Sequence, residues 1–132
     1  MTYLIDSDVL VDNLRGAPYA EQWLLTNAGN VLAVSIISVA ELYTGALRSQ
    51  MPLLHLDAIR SLLGQFTILN VSNQTALEYA RQRVQLQKRG TPLPDFDLLI
   101  AATALRYSLT LVTRNLRHFQ RINVLVLEVP RV

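Results

Sequence analysis

Tyr3-Leu4-Ile5-Asp6-Ser7-Asp8-Val9-Leu10 passes from three apolar residues to an acid and then into a segment of helical character. Tyr3 to Ile5 reads as a short buried strand, and the spacing predicts a helix from Asp8 to about Leu14. A soluble chain rarely sets an acid against its core unless that acid is paired, used as a cap or bound to a cation. The same arrangement returns twice. The apolar, β-branched run Val31 to Ile37 leads to Glu41, and Asp97 heads Leu98-Leu99-Ile100-Ala101-Ala102.

Working outward, Pro18 opens a helix through Leu25, and Val31 to Ile37 has the character of a central strand. Ser38-Val39-Ala40-Glu41 has the spacing of a capping box, predicting a helix to about Arg48. Pro52 starts another helix, with Leu56, Ile59 and Leu63 on one face. Phe66 to Val71 reads as a third strand. Asn73 is the expected cap of a long helix to Lys88, whose Ala76, Leu77, Ala80 and Val84 form an apolar stripe. Gly90, Pro92 and Pro94 stop it. A helix from Asp95 to Tyr107 follows, then a strand Thr110 to Val112, a turn of helix around Leu116 and a last strand Val124 to Val129. Strands alternating with helices predict an α/β fold with a parallel sheet covered on both faces, in one domain over residues 1–132. In such sheets a ligand lies beyond the carboxyl ends of the strands. Asp6, Glu41 and the segment after Val112 fall on that edge.

Composition narrows the class. With 132 residues, 51% of them hydrophobic and 17% charged, the chain can bury a core and is not of disordered type. The absence of cysteine excludes disulfides, thiolate zinc sites and cysteine nucleophiles, and fits a reducing compartment. Asp6 comes too early for the apolar region of a signal peptide, and the apolar stretches fall short of a membrane span. A soluble, cytoplasmic protein is expected. The net charge of +2 conceals an asymmetry: residues 1–59 carry two arginines against six acids, and residues 60–132 ten basic residues against four acids. Eleven of the twelve basic residues are arginine, whose planar fork suits phosphate. Nucleic acid is a natural partner for such a surface; an ordinary solvated arginine-rich face is the alternative.

Three ionised carboxylates within about 5 Å of one another repel by roughly 3 kcal/mol per pair at an effective dielectric of about 20. A bound cation or a raised pKa relieves that repulsion. Oxygen ligands favour Mg²⁺ or Mn²⁺ over zinc, and such a cation serves the hydrolysis of a phosphate ester. Each acid also has a purely structural reading. Asp6 or Asp8 could cap the first helix, Glu41 could close the capping box onto backbone, and Asp97 lies in a first turn that the helix dipole favours for acids. Asp95, directly after Pro94, is the better cap. Two residues apart, Asp95 and Asp97 cannot face the same way, so one is expected to cap while the other points into the crevice.

Four blocks together resemble the PIN-domain ribonucleases, in particular the VapC-type toxins of toxin–antitoxin pairs. They are Leu4-Ile5-Asp6-Ser7-Asp8-Val9-Leu10, Ser38-Val39-Ala40-Glu41-Leu42-Tyr43-Thr44-Gly45, Pro94-Asp95-Phe96-Asp97-Leu98-Leu99-Ile100-Ala101-Ala102, and Leu111-Val112-Thr113-Arg114-Asn115 with Phe119. The likeness covers essentially the whole chain. It implies a three-layer α/β PIN fold with a central, mostly parallel sheet flanked by helices. It also implies a Mg²⁺- or Mn²⁺-dependent endoribonuclease, a homodimer, and silencing by a cognate antitoxin. By position, Asp6, Glu41 and Asp97 match the family's metal-binding acids. Asp95 matches a position acidic in part of the family, and Asn115 the polar position of the Thr-Arg-Asn block. Ser7, Thr113, Asn115 and Asp95 are expected to support those acids or hold water. Asp8 stands where asparagine is commoner. His118 stands where an acid is common, which favours one metal over two. His118 otherwise reads as a solvent-facing turn residue, with phosphate donor or proton shuttle as the alternative. His55 reads as structural. Arg114, Arg117 and Arg121 either hold RNA backbone or form an ordinary basic turn; Arg81, Arg83, Lys88 and Arg89 read as a solvated helix face.

Two other readings remain at this point. Asp6-Ser7-Asp8 after an apolar strand also resembles the nucleophile loop of haloacid-dehalogenase phosphatases. Those enzymes need a lysine near the third strand, and Lys88, the only lysine, lies in a helix. The other is a non-catalytic PIN-like module that binds RNA or protein. For an antitoxin the physical hint is a groove beside the helix over 53–63, suited to an amphipathic helix.

Overall fold

The computed structural model describes residues 2–131. Along them run β1 (Tyr3–Ile5), α1 (Ser7–Leu14), α2 (Pro18–Thr26), β2 (Leu32–Ser35), α3 (Ile36–Arg48), α4 (Pro52–Leu63) and β3 (Thr67–Leu69). Then follow α5 (Asn73–Arg89), α6 (Asp95–Arg106), β4 (Thr110–Val112), α7 (Leu116–Phe119) and β5 (Leu127–Glu128). The strands form one sheet in the order β3-β2-β1-β4-β5, every pairing parallel.

Neighbouring residues of the central strands go to opposite faces of this sheet. Leu4, Ala33 and Leu111 pack with Leu86, Leu98, Ile100 and Phe119 on one side. Ile5, Val34 and Val112 pack with Val9, Leu10, Leu42 and Ile59 on the other. Both sets are buried, which is why these strands carry unbroken apolar runs without polar alternation. The result is three layers, α5 and α6 on one face and α1, α3 and α4 on the other.

Several boundaries differ from the sequence expectation. The run Val31 to Ile37 is a strand only over Leu32–Ser35, because Ser35 caps α3 by accepting the Ile37 N–H at 3.1 Å. Ile36 and Ile37 therefore open a helix despite their β-branched side chains. Ser38 does not cap. It is fully buried, and among the described residues its hydroxyl is the buried side-chain polar atom without a hydrogen-bond partner. Ser72, not Asn73, caps α5. The stripe Ala76, Leu77, Ala80 and Val84 faces outward; α5 buries Thr75, Gln82 and Leu86 instead, with Tyr79 half-buried between them. The longer strands expected over Phe66 to Val71 and Val124 to Val129 shorten to Thr67–Leu69 and Leu127–Glu128, at the two edges of the sheet.

The topology sets the crevice. From β1 the chain builds outward through β2 and β3 on one side, then crosses to β4 and β5 on the other. At such a switch point the connections after neighbouring strands diverge and leave an opening at their carboxyl ends. Asp6 leaves β1 there, and Thr113 leaves β4 beside it.

Candidate active site

Asp6 stands at the mouth of the switch point, 4% exposed, with its backbone N–H donated to the Val112 carbonyl at 2.9 Å. It caps α1, Oδ1 accepting the Ser7 N–H at 2.8 Å, while Oδ2 accepts the Thr113 hydroxyl at 2.8 Å. Its capping and crevice roles coexist. Glu41 is too deep in α3 to close a capping box, and its Oε1 accepts the Ser7 hydroxyl at 3.0 Å. Ser7 thus ties Asp6 and Glu41 together through its backbone and side chain. Ser7 and Thr113, both named as candidate supporting residues from the sequence, hydrogen-bond Glu41 and Asp6 respectively.

Asp97, in the first turn of α6, has Oδ2 2.7 Å from His118 Nδ1, which is also 3.0 Å from Asn115 Nδ2. His118 is therefore not a solvent-facing turn residue: α7 folds it against the head of α6. Asp95 does not join this group, and it does not cap either, since Pro94 holds the cap position without a side-chain bond. Its carboxylate is exposed and takes hydrogen bonds from Arg83 at 2.7 Å and the Tyr79 hydroxyl at 2.8 Å. Arg83, read as part of a solvated face, remains exposed but is paired.

Asp8 is the acid that sequence reasoning left out of the site. Its Oδ2 accepts the Arg114 N–H at 3.0 Å and lies 3.5 Å from the Thr113 hydroxyl. The signal was its place two residues after Asp6, on the same strand-to-helix junction.

Asp6, Asp8 and Glu41 are held above the ordinary carboxylate range. Burial, then the charge of Asp8 and more weakly that of Asp97, pushes Asp6 up to about 7, against the stabilising hydrogen bonds from Thr113 and Ser7. Glu41 is raised by burial and by the charges of Asp97 and Asp8, with the Ser7 bond opposing. Asp8 is raised chiefly by burial, against the Arg114 and Val9 backbone N–H groups. Asp6 and Glu41 thus each feel the charges of Asp8 and Asp97. Among the described residues no group of three or more His, Cys, Asp or Glu side chains is gathered closely enough to hold an ion as it stands. The crevice is a set of mutually repelling carboxylates, all oxygen donors, and that chemistry fits a hard divalent cation.

Around the rim, the Arg114 guanidinium lies over the Tyr19 ring, 4.4 Å from its centroid, and donates to the Pro130 carbonyl at 3.1 Å. Tyr19 in turn donates its hydroxyl to Asp12. Arg117 is exposed. Arg121 is turned to the Pro92 carbonyl at 2.7 Å, while its own carbonyl accepts from Arg89, so it fastens a loop. Behind Glu41, a cavity of about 290 Å³ opens between α1, α3 and α4, lined by Val11, Leu42 and Ile59 with Arg15 and His55 among its polar residues. His55 Nδ1 lies 2.8 Å from the Ser49 hydroxyl.

Residues 3–125, the span that contains every acid of the crevice, match the family model described as PIN domain. The chain belongs to the PIN-domain family. This PIN domain is 30% identical over 122 residues to ribonuclease VapC2 of Haemophilus influenzae, covering 92% of each chain. It is 26% identical over 122 residues, again 92% of each, to the tRNA(fMet)-specific endonuclease VapC of Shigella flexneri. In three dimensions it superposes on a chain of VapBC2 from Rickettsia felis, a structure bound to a promoter DNA fragment, with a TM-score of 0.92, 30% identity and 98% coverage of both chains. The phosphatase alternative falls with this match, and Lys88 stands exposed at the far end of α5. No helix among the described residues is long and apolar enough to cross a membrane.

Proposed function

We propose that this PIN domain is a Mg²⁺- or Mn²⁺-dependent endoribonuclease and the toxin of a toxin–antitoxin pair. The observation that carries the reading is that Ser7 ties Asp6 to Glu41 and that Asp97 lies near enough for its charge to raise both, so that burial and neighbouring charge hold Asp6 and Glu41 above the usual carboxylate range. Such crowding favours uptake of a cation. When bound, the cation supplies positive charge to the phosphodiester and to its attacking water.

The protein's own residues do the rest. Asp6 has its two oxygens fixed by the Ser7 N–H and the Thr113 hydroxyl, while Glu41 and Asp97 each have one fixed, by Ser7 and His118, so the ligand set is oriented before substrate arrives. Arg114 is the arginine best suited to a substrate phosphate, because Tyr19 and Pro130 hold its guanidinium while leaving donors unused. Arg117 extends the basic rim; Arg121 is committed elsewhere. The Shigella relative's name points to structured RNA as the substrate class worth testing first.

The antitoxin reading draws on structural neighbours described as toxin–antitoxin assemblies, a complex from Klebsiella pneumoniae and VapBC-5 from Mycobacterium tuberculosis. The cavity beside Glu41 suits an amphipathic helix, and an arginine inserted among the carboxylates would neutralise them directly. A homodimer is supported by the outward stripe on α5, where Leu77 and Val84 are about half exposed.

Incubation of the purified chain with total RNA, with Mg²⁺ or Mn²⁺ and then with chelator, tests the activity. Discrete fragments that require the cation and vanish in Asp97→Asn are expected. RNA binding without cation-dependent cleavage would replace this reading with the non-catalytic module.

A further inference from the structure

Three side-chain donors hold Asp6, Glu41 and Asp97 in this crevice. Thr113 holds Asp6, Ser7 holds Glu41, and the third is an imidazole. We propose that His118 is the positioning residue of Asp97: its Nδ1–H fixes Oδ2 and leaves Oδ1 as the atom that Asp97 offers to a divalent cation. This rests on the cation site proposed above.

The hydrogen-bond pattern fixes the proton. His118 Nδ1 lies 2.7 Å from Asp97 Oδ2 and 3.0 Å from the Asn115 amide. One ring nitrogen cannot donate to a carboxylate and accept from an amide N–H at the same time. A lone pair set against a carboxylate at that distance is repulsive, so Nδ1 carries the proton. Asn115 then presents its amide oxygen to the ring, the two ends of an amide being exchangeable in outline. Two acceptors bracket one N–H, and the ring is locked in place.

The lock is built from one short segment. Phe119, fully buried, anchors α7 beneath α6 and brings His118 to Asp97. The Asn115 backbone N–H donates to the Thr113 hydroxyl at 3.0 Å, and that hydroxyl donates to Asp6 Oδ2. A continuous line therefore joins Asp97, His118, Asn115, Thr113 and Asp6. Residues 113–118 set the separation between the two aspartates, and His118 is the link that reaches Asp97. An acid at position 118 would add another negative charge; the imidazole supplies a donor instead.

The test is Mn²⁺ affinity, measured by calorimetry and by saturable thermal stabilisation, in the wild type, His118→Ala and His118→Asn. The asparagine amide nitrogen occupies nearly the place of Nδ1 and can restore the bond. Loss of a hydrogen bond behind a metal ligand weakens affinity by about 10- to 100-fold. That loss is expected for His118→Ala, with His118→Asn returning to within a few-fold of wild type. Melting temperatures without metal serve as the control for folding. Wild-type affinity in His118→Ala, or equal losses in both variants, would overturn the role of His118. Failure of the wild type itself to take up Mn²⁺ would instead remove the cation site, and this inference with it.

Discussion

Asp95 and Asp97 share the first turn of α6, yet their surroundings are opposite. Asp95 lies on the outer flank formed with α5, exposed, its carboxylate matched by Arg83 and Tyr79. Asp97 points into the crevice, its side chain 19% exposed, with His118 as its one hydrogen-bonded partner among the described residues and Asp6 and Glu41 as neighbouring charges. The flank balances its charges locally, and the crevice does not. Among the described residues no lysine or arginine forms an ion pair with Asp6, Glu41 or Asp97, in a chain that has eleven arginines. Folding alone does not favour that arrangement, and acids left unbalanced in a cleft are the ordinary sign of a working site.

The largest contrast is expected in catalysis. Asp97→Asn and Asp6→Asn should reduce RNA cleavage by about 10³-fold or more, several kcal/mol of transition-state stabilisation. Asp95→Asn should stay within about twofold. Equal losses at positions 95 and 97 in a cleavage assay would erase the distinction between the two regions.

Stability should move in the opposite direction. Asp6 in the folded chain is raised from 3.8 to about 7, so the native state keeps a proton that the unfolded chain has released. Native stability is therefore highest below pH 4 as far as Asp6 is concerned, and it declines as pH rises towards 7. Asn at this position keeps an acceptor for Ser7 and removes the buried charge. Metal-free Asp6→Asn should be more stable than wild type at pH 8 by on the order of 2–4 kcal/mol, with a flatter pH profile in chemical denaturation. A destabilised variant would show that Asp6 is primarily a structural cap.

Smaller effects sharpen the comparison further. Thr113→Val removes the buried hydroxyl that holds Asp6 Oδ2 and should cost about 1–3 kcal/mol in denaturant melts, together with part of the activity. On the flank, Arg83→Met breaks an exposed pair and should change stability by no more than about 0.5 kcal/mol.

Part of this was legible in the sequence for one physical reason: strands buried on both faces leave continuous apolar runs, so the junction bearing Asp6 stood out, while Glu41 and Asp97 stood out as acids within apolar helical segments, Glu41 well inside α3 and Asp97 in the first turn of α6. The start of α3 did not, because β-branched Ile36 and Ile37 look like strand until Ser35 is seen to cap them. The buried face of α5 was hidden by its own polarity, Thr75, Tyr79 and Gln82 packing where the apolar stripe was expected to. His118 reads as a turn residue in the sequence because its partner lies 21 residues away, and the segment anchored by buried Phe119 carries it there. Asp95 reads as a neighbour of the site through its nearness to Asp97 in sequence, but the two-residue step, about 200° around a helix, turns it to Arg83.

The most direct measurement is thermal unfolding of the wild type, Asp97→Asn and Asp95→Asn across a Mn²⁺ titration. Saturable stabilisation is expected of the wild type and of Asp95→Asn, as linkage requires for an ion bound by the native state, with little or none in Asp97→Asn. Stabilisation of all three alike, or of none, would contradict a cation site built on the crevice acids.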